Sequence, residues 1–339
     1  SAVGKIKGFL SGIYSSSGVR GMWDALRRER PDVVNVHNLY PFISPAALFE
    51  CKKAGVPVVM TIHNFRLICP TGLFMRDGLP CEVCLERGNE WSCVRYNCEC
   101  NRLKSIGYTL RNVYARWTGA YRKNVAAFAC ITDFQRQKLI AAGYEAERVT
   151  VIPNGIDAPT SYDLTGGNYV AYIGRLSYEK GYDLLIEVAR RNPSIPFRFA
   201  GAKREQSDME IPGNVEFMGY LQKEELSDFI CHSRFVVMPS RCYEGFPMAI
   251  LEAACYGKPT IGPAHGGFTE IIGRGEQAIG DLFEPNNLDD LERKVVSLWN
   301  RPNEIARLGE KALEKLKREY SSEVIYQKWD NLFQKLIKE

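Results

Sequence analysis

Two doubly wound α/β domains, each a parallel sheet with helices on both faces, are what this sequence predicts. Three observations carry the prediction. The 339 residues exceed what one core of ordinary size organises and suit two domains. Short, nearly continuous apolar runs alternate with amphipathic segments, as buried parallel strands alternate with crossover helices. Polar residues suited to ligand contact cluster where those runs end, which is where open α/β sheets bind ligands.

In the first half, VVNVHN (33–38), VVMTIHN (58–64), AFACIT (127–132) and VTVIPN (149–154) read as strands, and ALFECKKAG (47–55) as a helix between the first two. The second half opens with the strand NYVAYIG (168–174) and the helix YDLLIEVARR (182–191). FRFAG (197–201) and NVEFMGY (214–220) are strands, followed by the helix KEELSDFICHS (223–233) and the strand RFVVMPS (234–240). PMAILEAACYG (247–257) is a helix opened by Pro247 and stopped by Gly257, the residue types those positions favour. KPTIGPA, a short FTEIIG helix and QAIGDLFEP complete the unit, and three helical segments run to the C-terminus. The expected division is 1–155, 156–320 and a closing helix, 321–339, that returns to the first domain.

With 45% hydrophobic and 25% charged residues, the composition is that of a globular domain rather than a disordered or fibrous chain. No apolar run approaches the roughly eighteen residues a membrane span needs, and the opening segment lacks a signal-peptide pattern. The expectation is a soluble, cytoplasm-facing protein. Its net charge of +4 is unevenly spread: residues 1–155 carry 21 Lys and Arg against 12 Asp and Glu, and the remainder carries 23 against 28. Basic residues concentrate in 101–123, with Arg102, Lys104, Arg111, Arg116, Arg122 and Lys123 among Tyr108, Tyr114, Trp117 and Tyr121. A basic, aromatic helix suits an anionic lipid surface. The alternative is a helix that packs its aromatics inward and solvates a basic face. Nothing in the sequence calls for nucleic acid as a partner.

The most informative stretch is RCYEGFPMAILEAACYGKP (241–259). Glu244 falls in the turn after a strand, and Glu252 falls in the helix that follows. Carboxylates accept hydrogen bonds from vicinal hydroxyls, the feature ribose and hexose share. Free amides at the helix start favour a nearby phosphate. GRLSYEKG (174–181) places Gly174, Arg175 and Lys180 after the first strand of the second half, where two cations could meet a diphosphate. Ordinary surface charges on a Gly-bounded turn are the alternative. HGGFTEII (265–272) puts Gly266 and Gly267 before a short helix, allowing close backbone approach. IPNGID sets Asn154 at the domain junction, where a plain linker turn would explain it equally well. His63 ends the strand VVMTIHN, while His37 and Asn38 end its neighbour. Histidines so placed are often simply buried and hydrogen-bonded.

Taken together, these motifs resemble retaining glycosyltransferase family 4, the group 1 glycosyltransferases. The resemblance covers about residue 31 to the end. It implies the GT-B fold, with two facing Rossmann-like domains, and transfer of a sugar from a nucleotide-diphosphate-sugar donor with retention of configuration. It further implies that Glu244 holds the transferred sugar, Glu252 the ribose, and Arg175 and Lys180 the diphosphate. His63 would lie near the anomeric carbon. Asn154, Gly174, Phe246, Pro247, Gly266 and Gly267 would line the donor side, with His37 and Asn38 on the acceptor side. No cofactor is required for such catalysis. The acceptor would be a glycolipid or oligosaccharide, and contact with an anionic membrane would be peripheral. A non-catalytic nucleotide-sugar-binding subunit is the alternative. Family members carry strand–helix units ahead of the equivalent of DVVNVHN that are not visible here, so the N-terminal domain is expected to be truncated.

Six of the eleven cysteines, Cys69, Cys81, Cys84, Cys93, Cys98 and Cys100, lie within 69–100. Cys81, Cys84, Cys98 and Cys100 form a CxxC and a CxC, so four thiolates could hold a structural zinc in this loop. Reduced thiols or disulfides are the alternatives. The insert resembles one found in a subset of the same family.

Overall fold

The computed structural model describes residues 12–40, 43–159, 167–203 and 209–338. Two compact units emerge. The first comprises residues up to Phe74, Cys81–Pro153 and Tyr326 onward; the second comprises Met75–Pro80 and Asn154–Ile325.

In the first unit, β1 (Val34–Val36), β2 (Val58–Ile62), β5 (Ala127–Cys130) and β6 (Val149–Val151) form one parallel sheet in the order β1-β2-β5-β6. Every residue of β2 and of β5 is buried, which is why both read as unbroken apolar runs rather than alternating ones. Between β2 and β5 lie the cysteine-bearing segment and the helix Arg102–Thr118, capped by Asn101, whose side chain accepts from Lys104 N at 3.1 Å.

That helix is inverted relative to an ordinary core helix. Its inward face is Ser105, Gly107, Thr109, Arg111, Asn112 and Ala115. Leu103 and Trp117 are 77% and 82% exposed, and Ile106 and Leu110 share their face. Arg111, one of the six cations assigned from sequence to a surface cluster, is instead buried. It donates to Pro70 O at 2.8 Å and stacks over Tyr40 and Tyr108. Tyr121 is buried as well, so only part of the expected basic and aromatic surface exists.

The second unit is built on a six-stranded sheet of order β12-β11-β10-β7-β8-β9, parallel throughout. Its strands are β7 (Tyr169–Ile173), β8 (Phe197–Ala200), β9 (Val215–Gly219), β10 (Ser233–Val237), β11 (Thr260–Pro263) and β12 (Gly280–Phe283). The chain begins in the middle, runs outward through β8 and β9, then returns to β10 on the other side of β7. The switch point therefore lies between β7 and β10, where the loops leaving the two strands part and open a crevice. The helix Tyr182–Arg191 buries Tyr182, Leu185, Ile186 and Ala189, an i, i+3, i+4, i+7 stripe. Around it Phe197, Phe199, Phe235, Val237, Ile261 and Phe283 close the core.

The division differs from the expected one: the second unit begins at Asn154, runs on to Ile325 and takes in a piece of the first half. The hairpin of β3 (Met75–Arg76) and β4 (Leu79–Pro80) comes from the first half of the sequence yet belongs to the second unit. Asn286 Nδ2 donates to Gly78 O at 3.1 Å, and Gly78 abuts Tyr178. Among the described residues, no helix is long and apolar enough to cross a membrane.

Candidate active site

The two loops that leave β7 and β10 carry the residues predicted to bind an activated sugar. After β7, the chain passes Gly174 and Arg175 and forms a short turn, Tyr178–Lys180, that ends at Gly181. Gly181 has φ +67°, and a Cβ there would sit 1.9 Å from Pro239 O. Only glycine lets this turn press against the end of β10. Lys180 Nζ consequently reaches the carboxylate of Glu244, forming a largely buried ion pair. Ser240 Oγ donates to the same carboxylate oxygen at 2.9 Å. Burial pushes the Lys180 pKa down, but Glu244, with Cys242 behind it, more than offsets this and the net shift is upward, so Lys180 stays cationic. Arg175 pairs with Glu179 at 3.3 Å and remains 41% exposed, a cation turned toward solvent rather than locked into the fold.

Glu252 lies in the helix Met248–Ala254, and Pro247 is that helix's N-cap rather than its first residue. Burial alone raises the Glu252 pKa. A half-buried carboxylate with no cation beside it is costly to keep charged unless a ligand supplies hydroxyl donors. The Gly266–Gly267 turn is tied to the acidic loop: Gly267 N donates to Glu244 O at 2.9 Å, and a Cβ on Gly267 would meet Gly245 O at 2.7 Å. Glu244 is thus fixed through side chain and backbone together. Phe246 is 9% exposed and packs edge-on against Tyr320, so it supports the loop from within. Asn154 begins the second unit, and next to it Ile156 N donates to Tyr320 O at 2.9 Å.

In the first unit, His37 and His63 stand at the carboxyl ends of adjacent strands. Their rings stack, with His37 Nδ1 2.7 Å from His63 Nε2. One nitrogen must donate and the other accept, so the two tautomers are linked. Burial, then repulsion from His37, pushes the His63 pKa below the ordinary imidazole value. Asn64 Nδ2 donates to Asn38 Oδ1 at 3.3 Å beside this pair.

Comparison with known proteins now decides the family. Residues 161–315 match the model of glycosyl transferases group 1, and residues 5–159 match that of Glycosyltransferase Family 4. The chain belongs to the group 1 glycosyltransferases. It is 27% identical over 310 residues to an uncharacterized 42.6 kDa protein of the cps region of Klebsiella pneumoniae, covering 87% of this chain and 76% of that one. It is 25% identical over 318 residues to glycogen synthase of Mycobacterium tuberculosis, covering 88% and 67%. Among solved structures, Anabaena HepE in complex with UDP-glucose superposes with a TM-score of 0.68 at 16% identity, over 94% of this chain and 82% of that one. Sucrose-phosphate synthase of Thermosynechococcus elongatus gives 0.69 at 16% identity, over 94% and 77%. The GT-B fold expected from the sequence is therefore the fold of this glycosyltransferase.

Two groups in this glycosyltransferase escaped the sequence reading. Ser240 and Arg241 brace the loops that leave β7 and β10 but look like ordinary polar residues in a string. A cavity of about 420 Å³ beyond β8 and β9 is lined by Leu176, Ala202, Lys203, Phe217 and Tyr220. No motif marks it, because its walls are assembled from three separated segments.

The cysteines divide differently from the expected set. Cys100 is exposed, while Cys69 and Cys93 are buried. Cys84 feels burial first and then the thiols of Cys69, Cys98 and Cys81, which together push it up to about 12. Among the described residues, no group of three or more His, Cys, Asp or Glu is arranged to hold a metal.

Proposed function

We propose that this glycosyltransferase moves a sugar from a nucleotide-diphosphate-sugar to a hydroxyl acceptor with retention of configuration. The observation that carries the reading is the ion pair of Lys180 with Glu244 at the switch point of the second unit. It sets a cation for a diphosphate beside a carboxylate for a sugar. The family membership and the UDP and UDP-glucose named in the HepE complexes support the same donor class.

In this mechanism the diphosphate occupies the Arg175 and Lys180 side of the site. Their charges stabilise the negative charge that grows on the leaving oxygen as the C–O bond breaks. Lys180, already cationic, shares its donors between phosphate and Glu244. Glu244 accepts from the sugar hydroxyls, and Glu252 accepts from the ribose diol. The apolar cavity by Ala202 and Tyr220 suits a nucleobase, with Lys203 at its rim. The acceptor hydroxyl attacks from the face the diphosphate leaves, and its proton passes to the departing phosphate. No metal is required for this charge balance.

The acceptor is a membrane glycolipid or growing polysaccharide. Supporting this are the outward Leu103, Ile106, Leu110 and Trp117, flanked by exposed Arg102, Lys104 and Lys123. Apolar side chains beside cations suit an anionic headgroup layer, so the protein would work at the cytoplasmic membrane face.

Donor turnover tests the reading. Radiolabelled UDP-, GDP- and ADP-sugars incubated with the protein should give slow donor hydrolysis, or transfer to lipid extracts, with one of them. Glu244→Gln should lower that rate on the order of a hundredfold or more, the usual effect of removing one preorganised transition-state contact. An unchanged rate in Glu244→Gln would defeat the site assignment.

A further inference from the structure

The turn that carries Lys180 is held by a side chain the proposed chemistry does not use. Arg241 is 6% exposed. Its Nη1 donates to Tyr178 O at 2.8 Å and to Asp183 Oδ1 at 2.6 Å, and its Nη2 donates to Asp183 Oδ2 at 2.5 Å. The same guanidinium lies over the Tyr178 ring, 4.2 Å from its centroid. The backbone beside it makes a second attachment. Arg241 N and Cys242 N donate to Glu179 O at 3.0 and 3.4 Å, and Ser240 Oγ lies 3.2 Å from that carbonyl.

Tyr178, Glu179 and Asp183 thus flank Lys180 and Gly181 on both sides, and all three are tied to residues 240–242. The hairpin also abuts the hydroxyl end of Tyr178: a Cβ on Gly78, φ +75°, would clash with the Tyr178 hydroxyl oxygen. A planar guanidinium can meet a carboxylate with two parallel bonds, donate to a carbonyl and stack on a ring at once; an ammonium cannot. Burying such a charge is tolerated here because Asp183 neutralises it and several of its donors are filled. Lys180, by contrast, has a long flexible stem that would otherwise sample many rotamers, and order in the turn is what keeps its Nζ at Glu244.

We propose that Arg241 is a positioning residue for donor binding: by clamping Tyr178 and Asp183 to the acidic loop, it fixes the turn that presents Lys180 to a diphosphate. The inference rests on the reading of Lys180 as a diphosphate ligand. It predicts a defect larger for diphosphates than for nucleosides, because Lys180 sits inside the clamped turn, whereas the cavity at the ends of β8 and β9 meets that turn only through Leu176 and Tyr182.

The test compares wild type, Arg241→Lys and Asp183→Asn in two measurements. Hydrogen exchange of the full chain reads the clamp without any nucleotide. In both variants the amides of residues 177–181 should exchange faster, while those of β7 and β10 keep wild-type protection. Calorimetry with UDP, GDP and ADP, beside ligand-observed NMR with the parent nucleosides, reads its consequence. Diphosphate affinity should fall on the order of tenfold, the scale of losing hydrogen bonds to a charged group, while nucleoside binding holds. Wild-type exchange and wild-type diphosphate affinity in both variants would overturn the proposal. So would equal losses of nucleoside and diphosphate binding, because that marks a general loss of fold. A wild-type protein that binds none of the three diphosphates fails the donor reading instead, and the exchange data still decide whether Arg241 holds the turn.

Discussion

At the scale of single residues, the site is a set of charges whose environments have been pushed apart. Glu244 is paired with Lys180, whereas Glu252 is half-buried, with desolvation alone acting on its pKa. The two glutamates should therefore respond differently to the same substitution. A carboxyl whose folded pKa lies above its unfolded one favours the native state fully at pH below the unfolded value. That advantage is lost as pH rises through the folded pKa, where the native state must carry a desolvated charge. Glu252→Gln should accordingly raise the melting temperature at neutral pH, with the gain vanishing in acid, while nucleotide affinity falls. A Gln variant less stable than wild type at pH 7 would contradict this. His63 titrates in the opposite sense. Its folded pKa is depressed, so as pH falls through the ordinary imidazole range the unfolded chain takes up a proton that the native ring resists, and stability declines. NMR titration should place the His63 midpoint below that of free histidine and move it upward in His37→Ala, which removes the repulsive neighbour. The glutamates, Arg175 and Lys180 were legible in the sequence because each sits in a motif. Arg241 was not, because its partners are reached only through the folded turn.

At the scale of elements, the strands were readable because burial on both faces leaves an unmistakable apolar run, as in β2, β5 and β7. The helix Arg102–Thr118 was legible as a helix and not as to which way it faces. Its tyrosines and basic residues suggested one polar face and one aromatic face. The fold instead turns Ser105, Thr109, Arg111 and Asn112 inward, where Arg111 finds a carbonyl and two rings. The apolar row left outside makes a prediction of its own. Replacing Leu103 and Trp117 together by Ser should leave the melting temperature within about 1 °C, since exposed positions contribute little to stability. The same double variant should weaken co-sedimentation with vesicles containing anionic phospholipid several-fold. Undiminished vesicle binding would show that this helix is not the contact. The hairpin Met75–Pro80 was missed altogether. Its two short strands carry no apolar period, and its assignment to the second unit depends on the fit of Gly78 to Tyr178 and Asn286.

At the scale of the whole molecule, the two sheets and the order of motifs along the chain agree with a group 1 glycosyltransferase, and the switch point of the second unit explains why the motifs fall where they do. The excess of basic residues in 1–155 is what the proposed contact of the first half with an anionic membrane would use. Spacing alone could not reveal the cavity at β8 and β9, because it is made from residues that share no pattern. The proposed function requires the molecule to bind a nucleoside diphosphate through Lys180 without help from a divalent cation. The most direct measurement is calorimetric titration of the protein with UDP, GDP and ADP in the presence of EDTA, repeated with Lys180→Ala. One of the three should bind wild type with EDTA present and bind Lys180→Ala on the order of tenfold to a hundredfold more weakly, the range for losing one charge-assisted contact to phosphate. Binding that requires a divalent cation, or equal binding to both proteins, would contradict it.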